Sequence, residues 1–173
     1  YIPKGDIVDM EMMDRGTSIY MPDMRIPMLP PMLAENICSL KAGELRPGIS
    51  VLVKTNLYAD IFEYEVVPSI IEVKQQWTYS YVYQISESDP AIASLCEIAR
   101  NFRKKRIDTG AVLISLPEIS IRVFDEDEIS VRRIDRESPS RLLVAEMMIM
   151  ANWLMAKFLA AHRMPAIFRS QPE

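Results

Sequence analysis

A nearly continuous apolar run occupies residues 142–161, where only Glu146, Asn152 and Lys157 are not apolar. The run is long enough to cross a bilayer, but each charge near the centre of a spanning helix costs about 3 kcal/mol. A helix that is apolar on every side is otherwise a buried helix. The pattern therefore predicts one long buried C-terminal helix and no membrane span.

Shorter segments alternate apolar and polar residues, which is the period of a half-buried strand. Apolar residues at 49, 51 and 53 predict one strand, and those at 62, 64 and 66 predict its hairpin partner across a turn at 56–60. A second hairpin is predicted from 119–123 and 129–131, and a further strand at 112–115. The acidic turn of that second hairpin, 125–128, is expected to be solvated because its four side chains point in different directions.

Helix boundaries are marked by capping residues. Asp89 before Pro90 is a typical N-cap followed by a first-turn proline, and Gly110 ends the helix that they begin. A short helix is expected near residues 9–14, and Ser138 with Pro139 begins the long helix.

The segment WTYSYVYQ, residues 77–84, is ambiguous. Its aromatic residues recur at every second position, which by periodicity alone indicates a strand. Thr78 is equally suited to cap a short helix.

Composition restricts the classes of chemistry that the chain can perform. With one histidine, His162, a nucleophilic site of the Ser/His or Cys/His kind is not expected. The five glycines form no phosphate-binding loop, and Cys38 and Cys96 form no metal motif. In the absence of a disulfide framework or signal peptide, we expect a cytoplasmic protein. The chain begins at Tyr1 and stops soon after its last helix, so we also expect it to be a piece of a longer protein.

Charge gives a weak signal. The net charge of −4 does not by itself indicate a nucleic-acid-binding protein. The basic run RKKR, residues 103–106, ends a predicted helix, where cations complement the helix dipole. A patch that binds RNA phosphates is the alternative interpretation.

Glu146 is the residue that the apolar pattern does not explain. A buried ionised carboxylate is costly unless it is paired or hydrogen-bonded. Glu146 is therefore expected either to meet an arginine, tyrosine or lysine in the core or to face a polar cavity.

Short motifs occur through the whole chain in a recognisable order. RGTSIY begins six residues after Asp9, IPMLP and CSL follow, and LVAEMMIMAN and FRSQP complete the series. This order and spacing resemble the RNB catalytic domain of the ribonuclease II and ribonuclease R family. The resemblance implies that residues 1–173 form one partial RNB domain of the α+β class, with a mixed, mainly antiparallel sheet packed against helices.

The resemblance also implies an activity. By this resemblance, the chain would come from a 3'-to-5' processive exoribonuclease. In such enzymes two divalent metals, Mg²⁺ or Mn²⁺, activate water to cut the terminal phosphodiester of single-stranded RNA. Tyr20 matches a tyrosine that stacks on the 3'-terminal bases, and Tyr79 matches one that lines the terminal-nucleotide pocket. Glu146 matches a glutamate that helps to favour ribose over deoxyribose. The resemblance further favours a short helix beginning in WTYSYV over the strand.

This chain departs from the family pattern in two respects: in the residues that bind metal or assist the leaving phosphate, and in the aromatic partner of Tyr20. These departures restrict the residue roles that can be transferred from the family. The four metal-binding aspartates precede this segment in the family, and the nearest spacing here, Asp125 and Asp127, lacks the other two. The arginine that assists the leaving phosphate lies beyond Glu173. We therefore expect no catalytic and no metal-binding residue within this chain. The aromatic residue that pairs with Tyr20 in some members would fall near Ile114, which is not aromatic.

Two functions follow as hypotheses. The first is the central part of the catalytic domain of an exoribonuclease, which supplies base-stacking and ribose-recognition residues. The second is a non-catalytic RNB-like module for RNA binding or protein assembly.

Overall fold

The computed structural model describes residues 2–114, 116, 118–125 and 128–169. The elements follow the chain as α1 (Ile7–Arg15), β1 (Ile19–Tyr20), β2 (Arg25–Ile26), a π-helix (Met32–Ile37), β3 (Leu45–Thr55), β4 (Ile61–Glu72), α2 (Tyr79–Ile85), α3 (Pro90–Asp108), β5 (Glu118–Asp125), β6 (Glu128–Ile134) and α4 (Pro139–Ala161). The predicted α+β class is confirmed. Within the described residues, the strands pair as three separate two-stranded sheets, β1–β2, β3–β4 and β5–β6.

The chain divides into two compact units. The first comprises Tyr1–Arg46, Ile70–Gln76 and Glu118–Ile134, and the second comprises the remaining segments.

The first unit holds the two shorter antiparallel pairings. In β1–β2, Ile19 faces Ile26 and Tyr20 faces Arg25. The β5–β6 hairpin forms as its alternating pattern predicts, with a register irregularity between residues 123 and 125. A parallel bridge between Ala42 and Val73 adds to this unit.

The second unit contains all the buried apolar residues found in the described part of the chain. One cluster joins Ala59 and Phe102 to Met150 and Leu154, and another joins Cys96 and Ala99 to Leu143. Both clusters join α3 to α4, and the first also takes in the β3–β4 hairpin through Ala59, so this hairpin and the two helices form the core.

Helix α4 begins where Ser138 and Pro139 predict, but only one face of it is buried within this unit. Its buried residues recur every three or four positions, at Ser140, Leu143, Glu146, Met150 and Leu154. The helix is also long and apolar enough to cross a membrane, but core helices of water-soluble proteins meet the same criteria of length and hydropathy. The opposite face is exposed and largely apolar, with Val144, Met148 and Trp153 open to solvent.

Capping explains the boundaries of α2 and α3. The Asp89 carboxylate accepts hydrogen bonds from the backbone N–H groups of Ala91 and Ile92, at 2.9 and 3.0 Å. The Thr78 hydroxyl oxygen accepts from the Tyr81 N–H at 3.2 Å. WTYSYV therefore begins a helix, as the family resemblance favoured, and the strand indicated by periodicity is wrong.

Two details of the strand predictions are also wrong. Residues 112–114 form no regular element, and Ser115 lies outside the described residues. In the β3–β4 hairpin, Ile49 and Phe62 are exposed, whereas Val51, Val53 and Ile61 pack against the core. The acidic turn predicted at 125–128 includes Glu126 and Asp127, which are likewise outside the described residues.

Candidate functional site

Tyr20 lies at the tip of the short β1–β2 hairpin in the first unit. The turn is closed by a hydrogen bond from the Met21 N–H to the Met24 carbonyl, at 2.9 Å. The Arg15 guanidinium donates to the Pro27 carbonyl at 3.1 Å, which ties the RGTSIY segment to the proline-rich loop after it. Tyr20 is 75% exposed. Its ring is therefore held on an ordered hairpin and is available for stacking.

Tyr79 is the first residue of α2 in the second unit, and α2 packs on α4. The Arg141 guanidinium carbon lies 4.3 Å from the centre of the Tyr79 ring. Trp77 and Tyr81 make an edge-to-face contact close by, with ring centroids 5.6 Å apart. Tyr79 remains 42% exposed. These contacts hold an aromatic surface together with a cation, a combination suited to stacking on nucleobases.

Glu146 is only 3% exposed and forms a two-point ion pair with Arg106. Its two carboxylate oxygens accept from Arg106 Nε at 3.1 Å and from Arg106 Nη2 at 2.7 Å. Of the two environments expected for Glu146, the structure shows the arginine partner. This geometry satisfies the buried charge, which explains how an apolar helix accommodates a carboxylate.

A pocket of about 530 Å³ lies within the second unit, and Arg106 of this ion pair lines it. Its wall is formed by the turn between β3 and β4, the last turn of α3 and the middle of α4. The lining residues that bear on its chemistry are Asp60, Lys105, Arg106, Thr109, Ile149 and Trp153.

Ion pairs engage three members of the basic run 103–106. Arg103 pairs with Glu137 at 2.7 Å, Lys105 with Asp60 at 2.5 Å, and Arg106 with Glu146. The Glu137 carboxylate raises the pKa of Arg103, and hydrogen bonds from Lys105 and then Asn56 lower the pKa of Asp60. Three of the four basic residues therefore form ion pairs that link α3 to Glu137, Asp60 and Glu146. The helix-dipole interpretation did not predict these ion pairs.

The described residues contain no cluster of three or more His, Cys, Asp or Glu side chains that could hold a metal ion. They therefore do not fit the two-metal site that the family implies, and no catalytic step is assigned to them. Cys38 is exposed and Cys96 is buried, and burial raises the pKa of the Cys96 thiol.

The structure brings two of the three sequence-predicted site residues onto neighbouring helices. Tyr79 and Glu146 lie on α2 and α4 of the second unit, whereas Tyr20 belongs to the first unit. Sequence patterns predicted an arginine, tyrosine or lysine beside Glu146 but did not identify Arg106, and they did not indicate Arg141 beside Tyr79. Each partner is a long distance along the chain, 62 and 40 residues away, and only an alignment of relatives could have suggested the pairing.

Known proteins resemble this chain over its full length. The sequence matches the RNB domain over residues 1–173. Ribonuclease R of Thermotoga maritima is 31% identical over 188 residues, which takes in 100% of this chain and 26% of the relative. The chain thus spans about a quarter of the length of that curated relative.

Solved structures share the fold. Mycoplasma genitalium RNase R in complex with ribose methylated single-stranded RNA matches with a TM-score of 0.88 at 20% identity, covering 99% of this chain and 28% of that one. Yeast Ssd1, a pseudonuclease, matches with a TM-score of 0.56 at 24% identity, covering 66% of this chain and 15% of that one. Since the RNB domain matches every residue from 1 to 173, this chain belongs to the RNB domain family.

Proposed function

We propose that this chain is the central part of the catalytic domain of a 3'-to-5' processive exoribonuclease that degrades single-stranded RNA. The observation that carries the proposal is the match to the RNB domain over the whole chain. The relative from Thermotoga maritima is a ribonuclease R, and a protein of the same fold binds single-stranded RNA. The proposed compartment is the cytoplasm, where the free thiols of Cys38 and Cys96 would stay reduced.

The proposed role of this segment is to hold the RNA strand. Tyr20 would stack on bases near the 3' end, because its exposed ring offers a flat apolar face to any base. Tyr79, fixed by Arg141, would line the pocket of the terminal nucleotide. Glu146 would contribute to the preference for ribose, and its burial requires that it act through the residue that it orients.

The proposed cofactor is Mg²⁺ or Mn²⁺, which would activate water for phosphodiester hydrolysis. Its ligands would come from outside this chain, since the described residues offer no suitable cluster. The contribution of this chain is therefore to bind and orient RNA, and no proton transfer is assigned to its residues.

A non-catalytic RNB-like module is the second candidate. Yeast Ssd1 shares the fold and is a pseudonuclease, so the fold is compatible with the loss of nuclease activity. Such a module would bind RNA, or assemble with proteins, without shortening the strand.

The first experiment compares residues 1–173 with the full-length protein. Both are incubated with 5'-labelled single-stranded RNA and Mg²⁺ or Mn²⁺. We expect the full-length protein to shorten the RNA and the 173-residue piece to leave it intact, because the described residues of the piece offer no cluster for two metals. Metal-dependent shortening by the piece would contradict the assignment of the metal ligands. An intact RNA in both reactions would favour the non-catalytic module.

A further inference from the structure

The two members of the Arg106–Glu146 pair differ in their access to solvent. The Glu146 side chain is 4% exposed, whereas the Arg106 side chain is 25% exposed and lines the pocket. A ligand in the pocket therefore meets the positive end of the ion pair, and the negative end lies behind it in the core.

The hydrogen-bonding capacity of the guanidinium leaves room for a ligand. A guanidinium carries five N–H donors in a fixed plane. Glu146 engages one on Nε and one on Nη2, which leaves three donors for other partners. Because the two-point contact fixes the plane of the guanidinium, the direction of these remaining donors is also fixed.

The walls of the pocket are suited to a nucleotide. Trp153 and Ile149 supply apolar surface, and Trp153 is 43% exposed. Arg106 adds a cation at the end of α3, whereas the Thr109 hydroxyl donates to the Lys105 and Arg106 carbonyls and Lys105 is paired with Asp60. The volume of about 530 Å³ lies within the range of small-ligand pockets. The Lys157 ammonium lies 3.7 Å from the centre of the Trp153 ring and covers part of it. A base would pack on the part of the indole that stays exposed while its phosphate meets the guanidinium.

We propose that Arg106 binds a phosphate of single-stranded RNA in this pocket, that Trp153 stacks on the attached base, and that Glu146 is a positioning residue which orients Arg106. The inference rests on the proposed function, because the ligand is RNA. It adds a nucleotide-binding pocket and two contact residues that the family resemblance did not supply.

The test is RNA binding by the full-length protein in EDTA, so that no strand is cut, measured at several salt concentrations. Arg106→Met should weaken the binding of a single-stranded oligoribonucleotide by roughly 10-fold and reduce the slope of log K against log salt by about 0.7, the value for one lost phosphate contact. Arg106→Lys should keep the slope and lose part of the affinity, because lysine has the charge without the planar fork. Trp153→Leu should also weaken binding by roughly 10-fold, with the salt slope unchanged.

Two further variants separate binding from folding. Arg103→Met is the matched control. Arg103 lies on the same helix as Arg106 but outside the pocket, and it forms an ion pair with Glu137. This variant should leave RNA affinity and salt slope unchanged. Should Arg106→Met fail to fold, the double substitution Arg106→Met with Glu146→Met removes both charges together, which buried sites tolerate far better. That double variant should show the same loss of salt slope.

The outcomes distinguish this inference from the function on which it rests. A wild-type protein that binds no single-stranded RNA would overturn the proposed function itself. Wild-type binding combined with unchanged affinity and salt slope in the Arg106 and Trp153 variants would overturn only the pocket. A lower melting temperature for Trp153→Leu with unchanged RNA affinity would show that Trp153 serves packing against Phe102 and not RNA binding, and would equally overturn the inference.

Discussion

Tyr20 illustrates what a single residue can contribute when it is exposed and its backbone is held. Its side chain protrudes from the β1–β2 hairpin, and no buried apolar cluster includes it among the described residues. If it stacks on a base, Tyr20→Ala in the full-length protein should weaken RNA binding by about 1–3 kcal/mol and lead to longer end products. Tyr20→Phe keeps the ring and is the matched control, with the end-product ladder unchanged.

The measurements for Tyr20 are a binding titration and a gel of the final products. A fall in melting temperature with an unaltered ladder would instead assign Tyr20 to structure.

The Arg106–Glu146 pair yields a prediction about stability. Removing Arg106 leaves the charge of Glu146, whose side chain is 4% exposed, buried and unpaired, so Arg106→Leu should reduce the free energy of unfolding by about 3–5 kcal/mol. Replacing both residues by leucine should recover most of that loss, because neither charge then remains. Thermal unfolding of the single and double variants measures the difference. Equal destabilisation of the single and the double variants would argue against the ion pair as the reason for burial.

Asp60 supplies a pH-dependent prediction. Hydrogen bonds from Lys105 and Asn56 lower the pKa of its carboxyl group below the ordinary value of 3.8, so the folded state favours the carboxylate. The resulting stabilisation is complete above pH 3.8 and is lost as the pH falls through the lower folded-state pKa. Asp60→Asn should therefore be less stable than the wild type at pH 7, and the difference should shrink on acidification below 3.8. A difference that stays constant across that range would contradict the ion pair.

At the scale of elements, capping chemistry was the most reliable guide. Asp89 caps α3 with two hydrogen bonds, so Asp89→Ala should cost about 1 kcal/mol of stability. Ser138 is a matched control, since its hydroxyl makes no cap hydrogen bond to α4 and instead donates to the Asp135 carbonyl. Urea unfolding should show the smaller effect for Ser138→Ala, and the reverse order would contradict the capping assignment.

The interpretations that rested on periodicity alone failed for a shared physical reason. In residues 77–84, alternation of aromatic residues mimics a strand, but the Thr78 cap and packing on α4 determine a helix. Residues 112–114 are apolar and β-branched in part, yet they pair with no strand in the described chain. Alternation also placed Ile49 and Phe62 inside, and both are exposed, although Val51, Val53 and Tyr64 in the same phase pack against the core. Local pattern cannot report these long-range choices.

At the scale of the whole molecule, family membership and the α+β class could be obtained from the order of short motifs. The separation into two compact units could not, because it depends on contacts between segments distant in sequence. The same limit applies to the site. Tyr20, Tyr79 and Glu146 were found as matches to a motif, while Arg141 and Arg106 required the packing of α2, α3 and α4.

The proposed function requires that the full-length protein shorten RNA from its 3' end. A time course with Mg²⁺ and a single-stranded RNA labelled at its 5' end tests this requirement. We expect a ladder of 5'-labelled products that shortens steadily from the 3' end and is abolished by EDTA. Labelled RNA that is bound but stays at full length would contradict the proposed exoribonuclease function and support a non-catalytic module.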